Sequence, residues 1–104
     1  MRRSLFGLLA VVLGLSLVAA SCGSDDDDST KAAFSYVGAV GDAGWTYSHN
    51  QGRLAAAAET GVETAFVETV PEGTADFGNY ARDFIDQGFN VIFGTSFGYM
   101  DDME

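Results

Sequence analysis

The 104-residue chain carries 5 Lys plus Arg against 15 Asp plus Glu, a formal net charge of −10, with one His, one Cys and one Pro. So few cations cannot build the basic patch that nucleic acid requires, and a lone cysteine excludes an intrachain disulfide framework or a thiolate-rich zinc site. The 47% hydrophobic content fits a globular domain, but much of it sits at the N-terminus.

Arg2 and Arg3 form a short basic start, Leu5 to Ala20 is an apolar run broken only by Gly7, Gly14 and Ser16, and small residues then lead to Cys22. That run is shorter than the ~20 residues a spanning helix needs, so residues 1–21 read as a cleaved export signal. The string Leu17-Val18-Ala19-Ala20-Ser21-Cys22 resembles a bacterial lipobox. The resemblance implies cleavage before Cys22 and a diacylglycerol on its thiol, which would anchor the protein on the extracytoplasmic face of a bacterial cell membrane. The alternative is an ordinary signal with a nearby cysteine. Cleavage removes both N-terminal arginines and leaves Lys31, Arg53 and Arg82 against the same 15 acids. Residues 22–30 then form an acidic tether. Its consecutive Asp25 to Asp28 lack the alternating spacing and turn glycine of a calcium loop, so they read as a solvated spacer.

Residues 31–104 alternate strand and helix. Ala32 to Val40 is mostly apolar with aromatic and β-branched content, as in a strand covered on both faces. Glycines 41 and 44 end it. From Thr46 a run of good helix formers closes at Gly61. Glu63 to Val70 reads as a second strand, broken by Pro71 and Gly73. Thr74 or Asp76 can cap the next helix, whose apolar Phe77, Tyr80, Ala81, Phe84 and Ile85 recur at three- and four-residue spacing up to Gly88. Phe89 to Phe93 is a third strand. This order predicts an α/β fold, a parallel-sheet βαβαβ segment with right-handed crossovers; if the sheet is doubly wound with the first strand central, the second and third strands flank it.

Ligands of doubly wound sheets lie beyond the carboxyl ends of the strands, where the connections diverge. Two segments fall there: Gly41 to Tyr47 after the first strand and Gly94 to Asp101 after the third. Both combine glycines with aromatics that a solvent-facing loop has no packing reason to hold. Trp45, Phe97 and Tyr99 offer flat apolar faces, and Asp42 and Asp101 offer hydrogen-bond acceptors. Neither loop holds a cation. A neutral heteroaromatic ring or nucleoside therefore suits the crevice better than a phosphorylated ligand. Phe97 and Tyr99 either contact the ligand or pack beneath another element, whereas Trp45 favours ligand contact.

Three other motifs compete. Gly94-Thr95-Ser96-Phe97-Gly98 matches the Gly-x-Ser-x-Gly nucleophile elbow, so a serine hydrolase using Ser96 is an alternative function. Against it, the only histidine, His49, precedes the serine, and no helical pattern is evident directly behind Ser96. Gly38, Gly41 and Gly44 have a dinucleotide-like spacing with Glu68 ending the second strand, but the close Gly-x-Gly pair is absent. His49 has no partner ligands nearby in sequence and reads as a first-turn helix residue. No cofactor or metal is indicated.

The segments Gly41-Asp42-Ala43-Gly44-Trp45-Thr46-Tyr47-Ser48-His49-Asn50-Gln51-Gly52-Arg53, Val67 to Gly73, and Val91 to Asp101 resemble the basic membrane protein family of lipoproteins, the substrate-binding components of ABC importers. The resemblance implies the N-terminal lobe of a type I periplasmic binding protein fold that closes on a purine base or nucleoside and delivers it to ABC permease subunits. It also implies that Asp42 is a polar ligand contact, Trp45 a ring-stacking aromatic, and Phe97 and Tyr99 cleft-lining residues. Members of that family carry a second lobe, so the chain is expected to be an N-terminal fragment supplying about half of one lobe. A small surface lipoprotein that binds other proteins is a further alternative.

Overall fold

The computed structural model describes residues 29–104. The export signal, Cys22 and the Asp25 to Asp28 run therefore lie outside the described residues. Three parallel strands, β1 (Lys31–Ser35), β2 (Glu63–Val67) and β3 (Val91–Gly94), form a sheet in the order β2-β1-β3. Pairing places Ala33 beside Ala65 and Ile92, and Phe34 beside Phe66 and Phe93. Helix α1 (Trp45–Thr60) links β1 to β2, and α2 (Asp76–Asp86) links β2 to β3. The first crossover runs from β1 out to β2 and the second runs back from β2 past β1 to β3, so right-handedness puts the helices on opposite faces.

The face carrying Ala33, Ala65, Val67 and Ile92 holds the core. Phe84 and Phe89 pack there around Ala33, and Phe77, Val70 and a later aromatic, Tyr99, form an adjoining cluster. Each buried aromatic contributes about 1.5–3 kcal/mol of transfer free energy. Helix α2 presents Phe77, Ala81 and Phe84 to this face as their spacing predicts, while Tyr80 and Ile85, which the same spacing includes, stay exposed. It ends in a Schellman closure: Gly88 at φ +94°, Phe89 N donating to Phe84 O at 2.9 Å, and Gly88 N donating to Ile85 O at 2.9 Å. The accompanying contact of Phe84 with Phe89 is edge-on, 5.5 Å between ring centres.

That closure takes Phe89 and Asn90 out of the third strand, which starts two residues later than the pattern suggests. The first two strands are also shorter than their apolar runs. Their pairing continues beyond Ser35 and Val67 in irregular form, with Tyr36 N donating to Val67 O, Val70 N to Tyr36 O and Thr69 N to Gly38 O. Thr69 at φ +56° breaks the extended backbone there. On the opposite face α1 attaches through polar groups. Arg53 donates to Asn50 Oδ1 (3.0 Å) and Thr64 Oγ1 (2.8 Å) and lies over the Phe66 ring.

Candidate functional site

The switch point of the β2-β1-β3 sheet lies between β1 and β3, and the loops leaving their carboxyl ends diverge there. A crevice of about 330 Å³ opens between them, lined by Trp45 from the first loop and by Thr95, Ser96, Phe97, Met100 and Met103 from the second. Trp45 opens helix α1 and is 58% exposed; Phe97 is 86% exposed. The indole Nε1 donates to Thr95 O at 2.8 Å, which ties the two loops together and fixes the ring's orientation. His49, one turn along α1, packs against that ring at 4.8 Å in an edge-on arrangement. The floor depends on Gly94: a Cβ there would lie 2.9 Å from Phe77 Cε2, so only glycine lets the core aromatic sit directly beneath the crevice.

Asp42 has a structural task at the start of α1. Its Oδ1 accepts from Gly44 N (2.8 Å) and Tyr47 N (2.9 Å), and its Oδ2 accepts from Thr46 N (3.1 Å). Those bonds, led by the Gly44 and Tyr47 amides, hold its carboxyl below the ordinary 3.8. The carboxylate thus satisfies amides that the helix cannot satisfy itself and orients Trp45.

Tyr99 is 1% exposed and belongs to the core rather than to the crevice surface. Its ring stacks on Phe77 with 4.4 Å between centres, and its hydroxyl donates to Val70 O at 2.6 Å. Burial, with a smaller contribution from the charge on Glu72, pushes its pKa up to about 12. The structure thus brings Trp45 and Phe97 together, sets Asp42 beside them as a helix cap and places Tyr99 beneath them. Nothing in the sequence singles out the two methionines or Thr95 O as crevice groups. Their signal is weak, since Met100 and Met103 reach the crevice only because a 3₁₀ turn (Phe97–Tyr99) and a short helix α3 (Met100–Met103) follow Ser96 directly.

That helical turn corrects the expectation of no helix behind Ser96, but the serine does not form a nucleophile elbow. Its backbone is ordinary extended chain, φ −145° and ψ 143°, without the strain of an elbow. Its hydroxyl bonds Glu72 Oε1 and accepts from Gly98 N at 3.3 Å, while the imidazole of His49 is packed on Trp45.

Residues 29–104 match the Bmp family, described as ABC transporter substrate-binding protein PnrA-like. The chain belongs to this family. The parallel α/β architecture agrees with a portion of a periplasmic binding protein fold, and the family is one of substrate-binding proteins rather than enzymes. Over 96 residues, 90% of the chain, the sequence is 42% identical to a purine-binding protein of Brucella abortus. Over 84 residues, 78% of the chain, it is 36% identical to a putative ABC transporter glucose-binding protein of Haloferax volcanii. The matched regions span 26% and 20% of those relatives.

Proposed function

We propose that the protein is a lipid-anchored receptor of an ABC importer and that its crevice binds a neutral heteroaromatic solute, a purine base or nucleoside. In this reading residues 1–21 are the lipoprotein signal, Cys22 carries the lipid, residues 22–30 are the tether and residues 31–104 belong to the ligand-binding lobe. The receptor delivers its solute to ABC permease subunits on the extracytoplasmic side of the membrane.

The observation that carries the ligand assignment is the pairing of Trp45 and Phe97 across one crevice, with the indole held in place by Thr95 O. Flat, exposed aromatic faces stack on a planar ring, at about 1–3 kcal/mol per base. The crevice walls carry no cation to receive a phosphate. The similarity to the Brucella purine-binding protein supports the same ligand class.

Calorimetric titration of the purified full chain with adenine and guanosine tests the assignment, with glucose as the competing ligand suggested by the Haloferax relative's name. Saturable purine binding, weakened roughly fivefold or more in Trp45→Ala, is expected. No heat with any purine, or full affinity after that substitution, overturns it, and binding of glucose alone replaces it with a sugar receptor. The anchor is checked separately: Cys22→Ser is expected to release the protein from the membrane fraction.

A further inference from the structure

The chain has three methionines. Met1 stands in the segment read as the export signal, and the other two, Met100 and Met103, both line the crevice beside Trp45 and Phe97. They are 54% and 52% exposed, and neither belongs to the core clusters of the α2 face. Their three-residue spacing puts them on one side of α3. The Met103 sulfur rests on the crevice floor, 3.2 Å from the point that a Cβ at Gly94 would occupy. Two thioethers that the core does not use are therefore held in the aromatic crevice.

The polar groups around them already have partners. Thr95 O accepts from the indole Nε1 and Thr95 Oγ1 donates to Ser35 O at 3.2 Å, while the Ser96 hydroxyl accepts from Gly98 N at 3.3 Å. The side chains left to a ligand are apolar: the indole, the Phe97 ring and the two thioethers. A thioether is polarisable and unbranched, so it fits itself to the edge of an aromatic ring. The sulfoxide made from it is polar and chiral and loses that fit.

We infer that Met100 and Met103 are ligand contacts and a modification site: a peroxide oxidises both to methionine sulfoxide, and the oxidised crevice binds its solute more weakly. This rests on the proposal that the crevice binds a heteroaromatic solute. In the oxidation a sulfur lone pair attacks one oxygen of hydrogen peroxide. The S–O bond forms as the O–O bond breaks, and the second oxygen leaves as water with both hydrogens. Sulfur is oxidised by two electrons and the peroxide is reduced by two. Both sulfurs stand in an open crevice in the free receptor, and a ring seated against Trp45 covers them.

The test is calorimetric titration of the full chain with adenine before and after mild hydrogen peroxide, with peptide mass spectrometry locating the added oxygens and circular dichroism confirming the fold. Oxidation of Met100 and Met103 is expected to weaken adenine roughly tenfold or more, and methionine sulfoxide reductases to restore the affinity. Saturating adenine is expected to slow the oxidation of both residues. The double variant Met100→Leu, Met103→Leu keeps the volume of the wall, so it is expected to bind adenine within about threefold of wild type and to keep that affinity through peroxide. Unchanged adenine affinity in the doubly oxidised wild type, equal oxidation rates with and without adenine, or the same loss in the peroxide-treated double variant overturns the methionine assignment while the purine reading stands. The first two outcomes are read on wild type and need no variant to fold. If untreated wild type binds no purine, both readings fall together.

Discussion

The two faces of the sheet are made from the same three strands and are closed in different ways. Under α2, Phe77, Phe84, Phe89 and Tyr99 bury themselves against Ala33, Val67 and Ile92. Under α1 the contacts are polar, through Asn50, Arg53 and Thr64, and Phe93 remains 46% exposed beside a groove of about 680 Å³. The cause lies in the helices. Phe77, Ala81 and Phe84 share one stripe of α2, whereas α1 is rich in alanines that are exposed on several sides and has little to bury. The α2 face therefore buries more apolar surface, while the α1 face buries Ala32 and Tyr36, whose hydroxyl bonds Asn50, and α1 presents Trp45 at its N-terminus.

The largest expected contrast comes from truncating one phenylalanine on each face. Phe77→Ala, at a site 2% exposed, should cost about 3–5 kcal/mol by chemical denaturation. Phe93→Ala, half-exposed already, should cost less than about 1 kcal/mol. Equal losses would break the distinction between the faces. Tyr99→Phe comes next, at about 1–2 kcal/mol, because Val70 O loses its donor. This variant also sharpens the comparison by pH. The folded protein retains the phenol proton up to about 12 against an ordinary 10.0, so the native state binds more protons in that window. This contribution is full below pH 10 and is lost as pH rises towards 12, and Tyr99→Phe should reduce the alkaline loss, the remainder belonging to Tyr36, whose phenol is also pushed up by burial.

On the open face, Arg53→Met is expected to cost about 1 kcal/mol, since its two hydrogen bonds are only half-buried. A loss as large as that of Phe77→Ala would show that polar contacts secure α1 as firmly as the core secures α2. The smallest effect belongs to Asp42. Its carboxyl is held below 3.8, so its contribution is present above that pH and disappears as pH falls through the lower folded value. Asp42→Asn should flatten the acid limb of a stability profile, and an unchanged limb would remove the capping role.

The order of elements was legible because glycines punctuate apolar runs of strand length and α2 carries one apolar stripe, whereas the central position of β1 is set by the strand pairing. The meeting of Trp45 and Phe97 followed from the same topology, since both stand just beyond carboxyl ends of neighbouring strands. Strand ends were less legible: Thr69 adopts a left-handed conformation that threonine rarely shows, and Phe89 serves the closure of α2. The capping role of Asp42 could have been read from its place just ahead of the helix. Tyr99 could not, because its partners Phe77 and Val70 lie more than twenty residues away.

Local pattern alone thus determined the α/β class, the acidic character of the chain and the two aromatic loops, since periodicity and turn residues act over a few positions. Tertiary structure decided which aromatics face the crevice and which carboxylates are spent on the backbone. Those outcomes depend on contacts between segments far apart in the chain, and no spacing within one segment records them.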